Sequence, residues 1–317
     1  MMKPAGVLCC GSIVLDIVVR PVDRFVFNSS VWVDAIEQQL GGNGASTSYA
    51  LALLGVPVRL LGAVGSDPFG EFALARLRSA GCDVSNVRVL DDRTATTVSV
   101  VNSAGERLLL HRPGVSVCAF AEPIEFSPRL TAGLSHFHFA NFYSLPRLRT
   151  RAAETVRAAR AAGLTVSVDT GWDSQGRWLE DLGPCLPMTD LLFANEKEAR
   201  ILTGIEDPRA AGLRLCELGA GTVVVKLGGE GCLVLREGIQ ISASAYDVPV
   251  LDTTGAGDCF AGGFLAALGR GASLQEAAQF ANAVAALSIQ TLGATAGLRS
   301  YEETAAWMSA AKLAATT

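Results

Sequence analysis

Short Val/Ile/Leu-rich runs alternate along this chain with Ala-rich stretches of helical period, and that rhythm constrains the fold more than any other feature. Candidate strands are Val7–Val19, Val58–Val64, Leu134–Ala140, Thr165–Asp169, Leu191–Ala194, Thr222–Lys226 and Cys232–Arg236. Between them lie helical patterns at Ser46–Leu54, Phe69–Ala80, Leu148–Ala162, Glu196–Thr203, Pro208–Leu218, Gly257–Leu268 and Ser273–Thr291. Several are followed at once by glycine (Gly55, Gly81, Gly163, Gly219, Gly269), the residue that most readily takes the left-handed turn closing a helix. The alternation predicts an α/β fold with a mainly parallel sheet covered by helices on both faces.

Two regions break the rhythm. Residues 18–39 and 94–111 alternate like exposed antiparallel strands, with Ser103-Ala-Gly105 as a turn. They predict a small β lid over one domain spanning 1–317, without repeat or linker. Exposed lid strands would offer edges through which two copies could pair as a homodimer.

Charge and cysteine usage narrow the function. Charged residues make up 18% and the net charge is −5, with no basic stripe to form a nucleic-acid groove. An anionic ligand would have to be held locally. The N-terminal Met1-Met-Lys-Pro-Ala-Gly leads directly into Val7–Val19, which Gly11, Ser12 and Asp16 interrupt. That stretch is too short to span a membrane and is a poor leader core. Eight cysteines (9, 10, 82, 118, 185, 216, 232 and 259) sit in apolar contexts without a C-x-x-C pair. They read as reduced, mostly buried thiols of a cytoplasmic protein, with Cys9 and Cys10 on opposite faces of a strand.

The most informative stretch is Asp252-Thr-Thr-Gly255-Ala256-Gly257-Asp258 before a small-residue helix. Two glycines allow a tight turn, so the N–H groups of Gly255, Ala256, Gly257 and Asp258 can converge at a helix N-terminus and bind an anion. A carboxylate beside such a nest repels phosphate. Asp258 is therefore either a helix cap or a general base that takes the proton of a hydroxyl attacking a γ-phosphate. The small residues Ala261, Gly262 and Gly263 on the next turn favour the base.

This segment resembles the C-terminal signature of the ribokinase-type (PfkB) carbohydrate kinases, D-T-x-G-A-G-D. The resemblance implies an ATP-dependent phosphotransferase in which Asp258 is the base and the Gly255–Asp258 backbone an anion hole. It also implies K⁺ or another monovalent cation near Asp252 and Thr254. A second glycine turn, Gly41-Gly42-Asn43-Gly-Ala-Ser46, and the following Gly65-Ser-Asp67-Pro-Phe-Gly70 resemble the N-terminal signature. There Gly42, Asn43 and Ser46 would face the sugar, with Ser46 standing where the family usually has Asn. Asp16, a carboxylate in an apolar run, would hold substrate hydroxyls; its alternative is a structural role at the lid hinge.

Asn195 and Glu198 match an N-x-x-E motif that in the family organises Mg²⁺, largely through water; a charged helix start also needs no further reason. Lys226, Gly228 and Gly231 resemble the strand–turn–strand bordering ATP, although Lys226 also reads as a snorkelling surface lysine. Asn282 falls where the family encloses adenine and equally reads as a satisfied helix residue. Asp169 matches only the first residue of the family's D-x-N-x-R, with Gly171 and Asp173 at the other two positions. Arg93 and Arg112 read as solvated loop charges. A nicotinamide-dependent oxidoreductase is disfavoured because no G-x-G-x-x-G follows the first strand, and no Walker sequence occurs. The acceptor is then a sugar or sugar-like molecule; a nucleoside kinase and a catalytically silent sensor of the same fold are the alternatives.

Overall fold

The computed structural model describes residues 6–314, so the reading of Met1–Ala5 lies outside the described residues. Thirteen strands form two sheets. In chain order they are β1 (Gly6–Cys10), β2 (Val14–Arg20), β3 (Ala35–Gly41), β4 (Val58–Gly65), β5 (Val87–Leu90), β6 (Ala95–Val101), β7 (Arg107–Arg112), β8 (Leu134–Phe139), β9 (Thr165–Asp169), β10 (Leu191–Asn195), β11 (Val223–Lys226), β12 (Cys232–Arg236) and β13 (Ile239–Ala243). Nine make a central sheet in the order β13-β12-β11-β10-β9-β8-β1-β4-β5. All its pairings are parallel except those of β12 with β11 and β13.

Helices cover both faces. Asn43–Leu53, Pro68–Ser79, Ala256–Gly269 and Leu274–Ser288 bury their apolar sides with Cys9 and Leu60 of the sheet. Ala152–Ala161, Glu196–Thr203 and Pro208–Glu217 bury theirs on the other face, with Cys10 and Val225. Cys9 and Cys10 thus face opposite cores, as period-2 alternation requires. Six cysteines are buried, Cys216 is half-buried and Cys118 is exposed. Among the described residues no helix is long and apolar enough to cross a membrane.

The expected single strand Val7–Val19 is two strands in different sheets. The chain leaves the central sheet after Cys10, turns through Gly11–Ile13, and enters the lid as β2. Gly11 permits this turn because the helix beginning at Asn43 presses against it: a Cβ on Gly44 would lie 2.6 Å from the Gly11 carbonyl carbon. Asp16 therefore stands in the lid, not at the end of a central strand.

The lid sheet has the order β3-β2-β6-β7, and it begins at Val14 and extends to Gly41, wider than the expected 18–39. The 103–105 turn does join β6 to β7, with Val101 opposite Arg107. Asp67 ties the lid to the body. It caps the helix Pro68–Ser79 by accepting from Gly70 N at 2.9 Å, and it accepts from Thr94 N and Thr94 Oγ1 at 2.9 and 2.6 Å just before β6.

Two buried polar groups test this packing. Asp173 takes a bidentate pair from Arg149 (2.6 and 2.9 Å) and accepts from the backbone of Gln175, Arg177 and Trp178. Arg149 also donates to Asp181. The acid found in place of the family's Arg is thus the anchor of loop 173–178. Replacing Arg149 by Met leaves that carboxylate uncompensated, and chemical denaturation should show a loss of about 3–5 kcal/mol.

On β8 and β9, Ser167 Oγ lies 2.6 Å from His136 Nε2 and 2.7 Å from His138 Nδ1. Burial pushes these imidazoles down from 6.5 to about 4 and about 3. The unfolded chain then takes up protons first. The neutral pair should stabilise the fold fully above about pH 6.5, and that contribution should fall as pH drops towards 4 and 3. Urea midpoints against pH for the native chain and His138→Gln should converge in acid; parallel curves would contradict this.

Candidate active site

Parallel strands deliver their C-terminal ends to one side of the sheet, and the expected site residues gather there. Asp169, Asn195 and Lys226 each end a strand, and Asn141 follows β8 closely. The lid faces Asn141, but not the other three, across a cavity of about 970 Å³ whose walls include Ser12, Asp16, Asn43, Ser46, Thr97 and Asp258. Gly42 and Gly255 also line it.

Asp258 lies in the first turn of the helix Ala256–Gly269 but does not cap it. The cap position is Gly255, in the left-handed region at φ 69°, and no side chain serves there. The Asp258 carboxylate instead accepts from Asn43 Nδ2 at 2.9 Å. Asn43 Oδ1 in turn accepts from Asn141 Nδ2 at 2.8 Å, and the Asn43 N–H donates to Ser12 Oγ. Thr47 Oγ1 donates to the Asp258 carbonyl. Burial, then the charge of Asp169, pushes the Asp258 carboxyl up to about 7 against the pull of Asn43 and Lys226.

The expected nest differs by one group. Ala256 N–H turns back to Thr253 O at 3.3 Å, so it is not available to a ligand. The N–H groups of Gly255, Gly257 and Asp258 donate to no acceptor among the described residues. Lys226 stands over them: a Cβ on Gly257 would lie 3.2 Å from its Nζ. The ammonium is paired with Asp169 Oδ2 at 2.7 Å. Burial alone would lower the Lys226 pKa, but Asp169 and Glu198 outweigh it and keep the cation charged.

Asn195 and Glu198 form a complete capping box, with Asn195 Oδ1 accepting from Glu198 N and Glu198 Oε2 from Asn195 N. Glu198 Oε2 also accepts from Thr170 Oγ1 at 2.7 Å. Both bonds that the Glu198 carboxylate accepts use Oε2. Among the described residues no cluster of three His, Cys, Asp or Glu could cage a metal. These donors fit Mg²⁺ held mainly by water and phosphate.

Asp252 and Thr254 are engaged differently from expectation. Asp252 Oδ1 accepts from Thr254 N, Thr254 Oγ1 and Arg107 Nη1, and Oδ2 from Gly293 N. A guanidinium already sits on these oxygens, so as arranged they do not fit a monovalent cation.

Asp16 points from β2 into the cavity and lies against Gly41, where a Cβ would meet its Oδ2 at 2.0 Å. Burial raises its pKa to about 6; the Thr97 hydroxyl opposes the rise and the Asp252 charge adds to it. Lys226, Gly228, Gly231 and Asn282 do not line this cavity. Asn282 Nδ2 donates to the carbonyls of Ala243 (2.9 Å) and Ser244 (3.1 Å) and, more weakly, to Cys232 Sγ at 3.9 Å, so its amide braces the end of β13.

Sequence reasoning missed Asn141, Thr170 and Arg107. Asn141 and Thr170 carried one signal, a polar residue just after an apolar strand. Arg107 carried none beyond its strand.

Residues 5–300 match the pfkB family carbohydrate kinase. An ATP-dependent ribose-1-phosphate kinase of Halopiger xanaduensis is 32% identical over 91% of this chain and 93% of its own. A 2-dehydro-3-deoxygluconokinase of Bacillus subtilis is 27% identical over 88% and 89%. Ribokinase of Arabidopsis thaliana, solved with ribose and ATP, superposes with a TM-score of 0.85 at 26% identity, covering 97% of this chain and 99% of that one. A match that runs through both glycine turns and nearly all of the sheet, on a fold shared with ribokinase, makes the chain a member of the pfkB family of carbohydrate kinases.

Proposed function

We propose that this kinase transfers the γ-phosphoryl group of ATP to a hydroxyl of a sugar or sugar-like acceptor, with Asp258 as general base. The observation that carries this reading is the Asp258 carboxylate itself, half-buried on the cavity wall, aimed by Asn43 and poised at about 7. A base of that pKa can accept a proton near neutrality and is about half ionised beforehand.

The acceptor is held from the lid by Asp16 and from the body by Gly42, Asn43 and Ser46. Its hydroxyl proton passes to Asp258 as the oxygen bonds to the γ-phosphorus. The bond to the bridging oxygen breaks, and ADP leaves with that electron pair. The open amides of Gly255, Gly257 and Asp258, with Lys226 beside them, receive the charge of the moving group. Mg²⁺, organised through water by Asn195 and Glu198, supplies charge neutralisation on the phosphates when bound. Lys226, Gly228 and Gly231 border the nucleotide, and Asn282 helps to hold the adenine side in shape. K⁺ has no part in this scheme, because Arg107 holds Asp252 and Thr254.

The relative that acts on ribose 1-phosphate brings sugar phosphates into the acceptor class. A nucleoside acceptor is the second reading, favoured by Trp172, a half-exposed indole on the same cavity wall whose ring also carries the Lys197 ammonium at 4.5 Å. We place the reaction in the cytoplasm, where eight free thiols are stable.

The lid's outer side supports a homodimer. Phe27, Trp32 and Ile36 are 93%, 94% and 69% exposed on or beside it. Apolar surface of that kind is what a second copy would cover.

Asp258→Asn should lower ADP formation by about 10²–10⁴-fold while leaving acceptor binding intact. If both proteins bind ligand equally and neither makes ADP, the silent-sensor reading holds instead. For the native chain, kcat/KM should rise with pH through about 7. Asn43→Leu removes the hydrogen bond that favours the ionised base, so the rise should move to higher pH. Light scattering should give the mass of two chains for the native protein and of one for Phe27→Glu/Trp32→Glu. A native mass of one chain would refute the dimer.

A further inference from the structure

Strand β7 is the exposed edge of the lid, and all six of its residues are solvent-accessible. Besides pairing with β6, it is tied at its end by Arg112, which donates to Thr94 O, and at its start by Arg107. Arg107 reaches across the cavity mouth and donates through Nη1 to Asp252 Oδ1 at 3.0 Å and to Thr254 Oγ1, and through Nη2 to Thr253 Oγ1 at 2.8 Å. Among the described residues this is the only ion pair joining the lid sheet to the rest of the molecule.

The recipient loop is well chosen for leverage. Asp252 is almost fully covered and close enough to Asp16 for the two carboxylates to repel. A positive charge is needed to hold the pair together, and Arg107 brings it. Thr254 is one residue before Gly255, whose left-handed turn starts the open amides at Gly255, Gly257 and Asp258. Three side chains gripped by one planar guanidinium leave that loop few ways to move.

We propose that Arg107 is a positioning residue for phosphoryl transfer. It fixes the loop that carries the anion nest only when the lid is in place, and it supplies there the charge a monovalent cation would otherwise bring. Lid closure and ordering of the nest are then one event. The inference rests on the kinase reading above, but one arm of its test does not need turnover.

Arg107→Met and Arg107→Lys, both on an exposed strand, serve as the variants. In the unliganded protein, amide exchange across residues 252–258 should quicken by about tenfold in Arg107→Met. In turnover, kcat should drop by about tenfold or more, and Lys, a point charge that cannot span three oxygens, should restore only part of it. K⁺ against choline should change native kcat less than about twofold, while it raises that of Arg107→Met, where the oxygens are vacated. Unchanged exchange across 252–258 in Arg107→Met would overturn the proposal, as would a native kcat that depends on K⁺. If no acceptor yields ADP at all, the kinase reading fails and the exchange result still decides the role of Arg107.

Discussion

A single hydrogen bond, from Asn43 Nδ2 to Asp258, joins parts of the chain 215 residues apart and organises the rest of the site. Each end comes from a glycine turn running into a helix, and the two helices pack on the same face of the sheet. If either turn moved, the carboxylate would lose its aim or its partner. Bringing a carboxylate this deep into a protein costs several kcal/mol unless it is paired or hydrogen-bonded. Here one amide bond and a nearby ammonium offset part of that cost, and the remainder appears as a pKa near 7.

The charges around Asp258 follow from parallel-sheet geometry. Strand ends at Asp169 and Lys226 meet as a buried pair, and Glu198 joins them from the next helix start. The lid adds a second group, Asp16 and Arg107 facing Asp252. Five carboxyl groups (Asp16, Asp169, Glu198, Asp252 and Asp258) face only two cations, Lys226 and Arg107, so the unliganded site carries an excess of negative charge. An arriving phosphate would meet open amides and an ammonium, and an arriving polyol would meet Asp16 and Asn43.

The seven inner strands of the central sheet were legible because buried strands must be continuous apolar runs; its edges, β5 and β13, were not, being short and largely exposed. The division of Val7–Val19 into β1 and β2 was not, since both halves are apolar and only packing of Gly44 on Gly11 shows where the chain turns. The turn at Gly255 was legible because it is local and needs only neighbours in sequence; the capping box at Asn195 and Glu198, equally local, was read only as a charged helix start. The loss of Ala256 N–H from the nest was not, because it depends on how far Thr253 O curls back.

By itself the sequence determined the α/β class and singled out Asp258 as a base candidate, because periodicity and glycine spacing are written in consecutive residues. Tertiary structure alone decided which groups meet. It placed Asn43 on Asp258, Arg149 on Asp173, Arg107 on Asp252, and the Asn282 amide on backbone carbonyls. Those partners lie tens to hundreds of residues apart, and a charge or amide carries no local mark of the partner that folding brings to it.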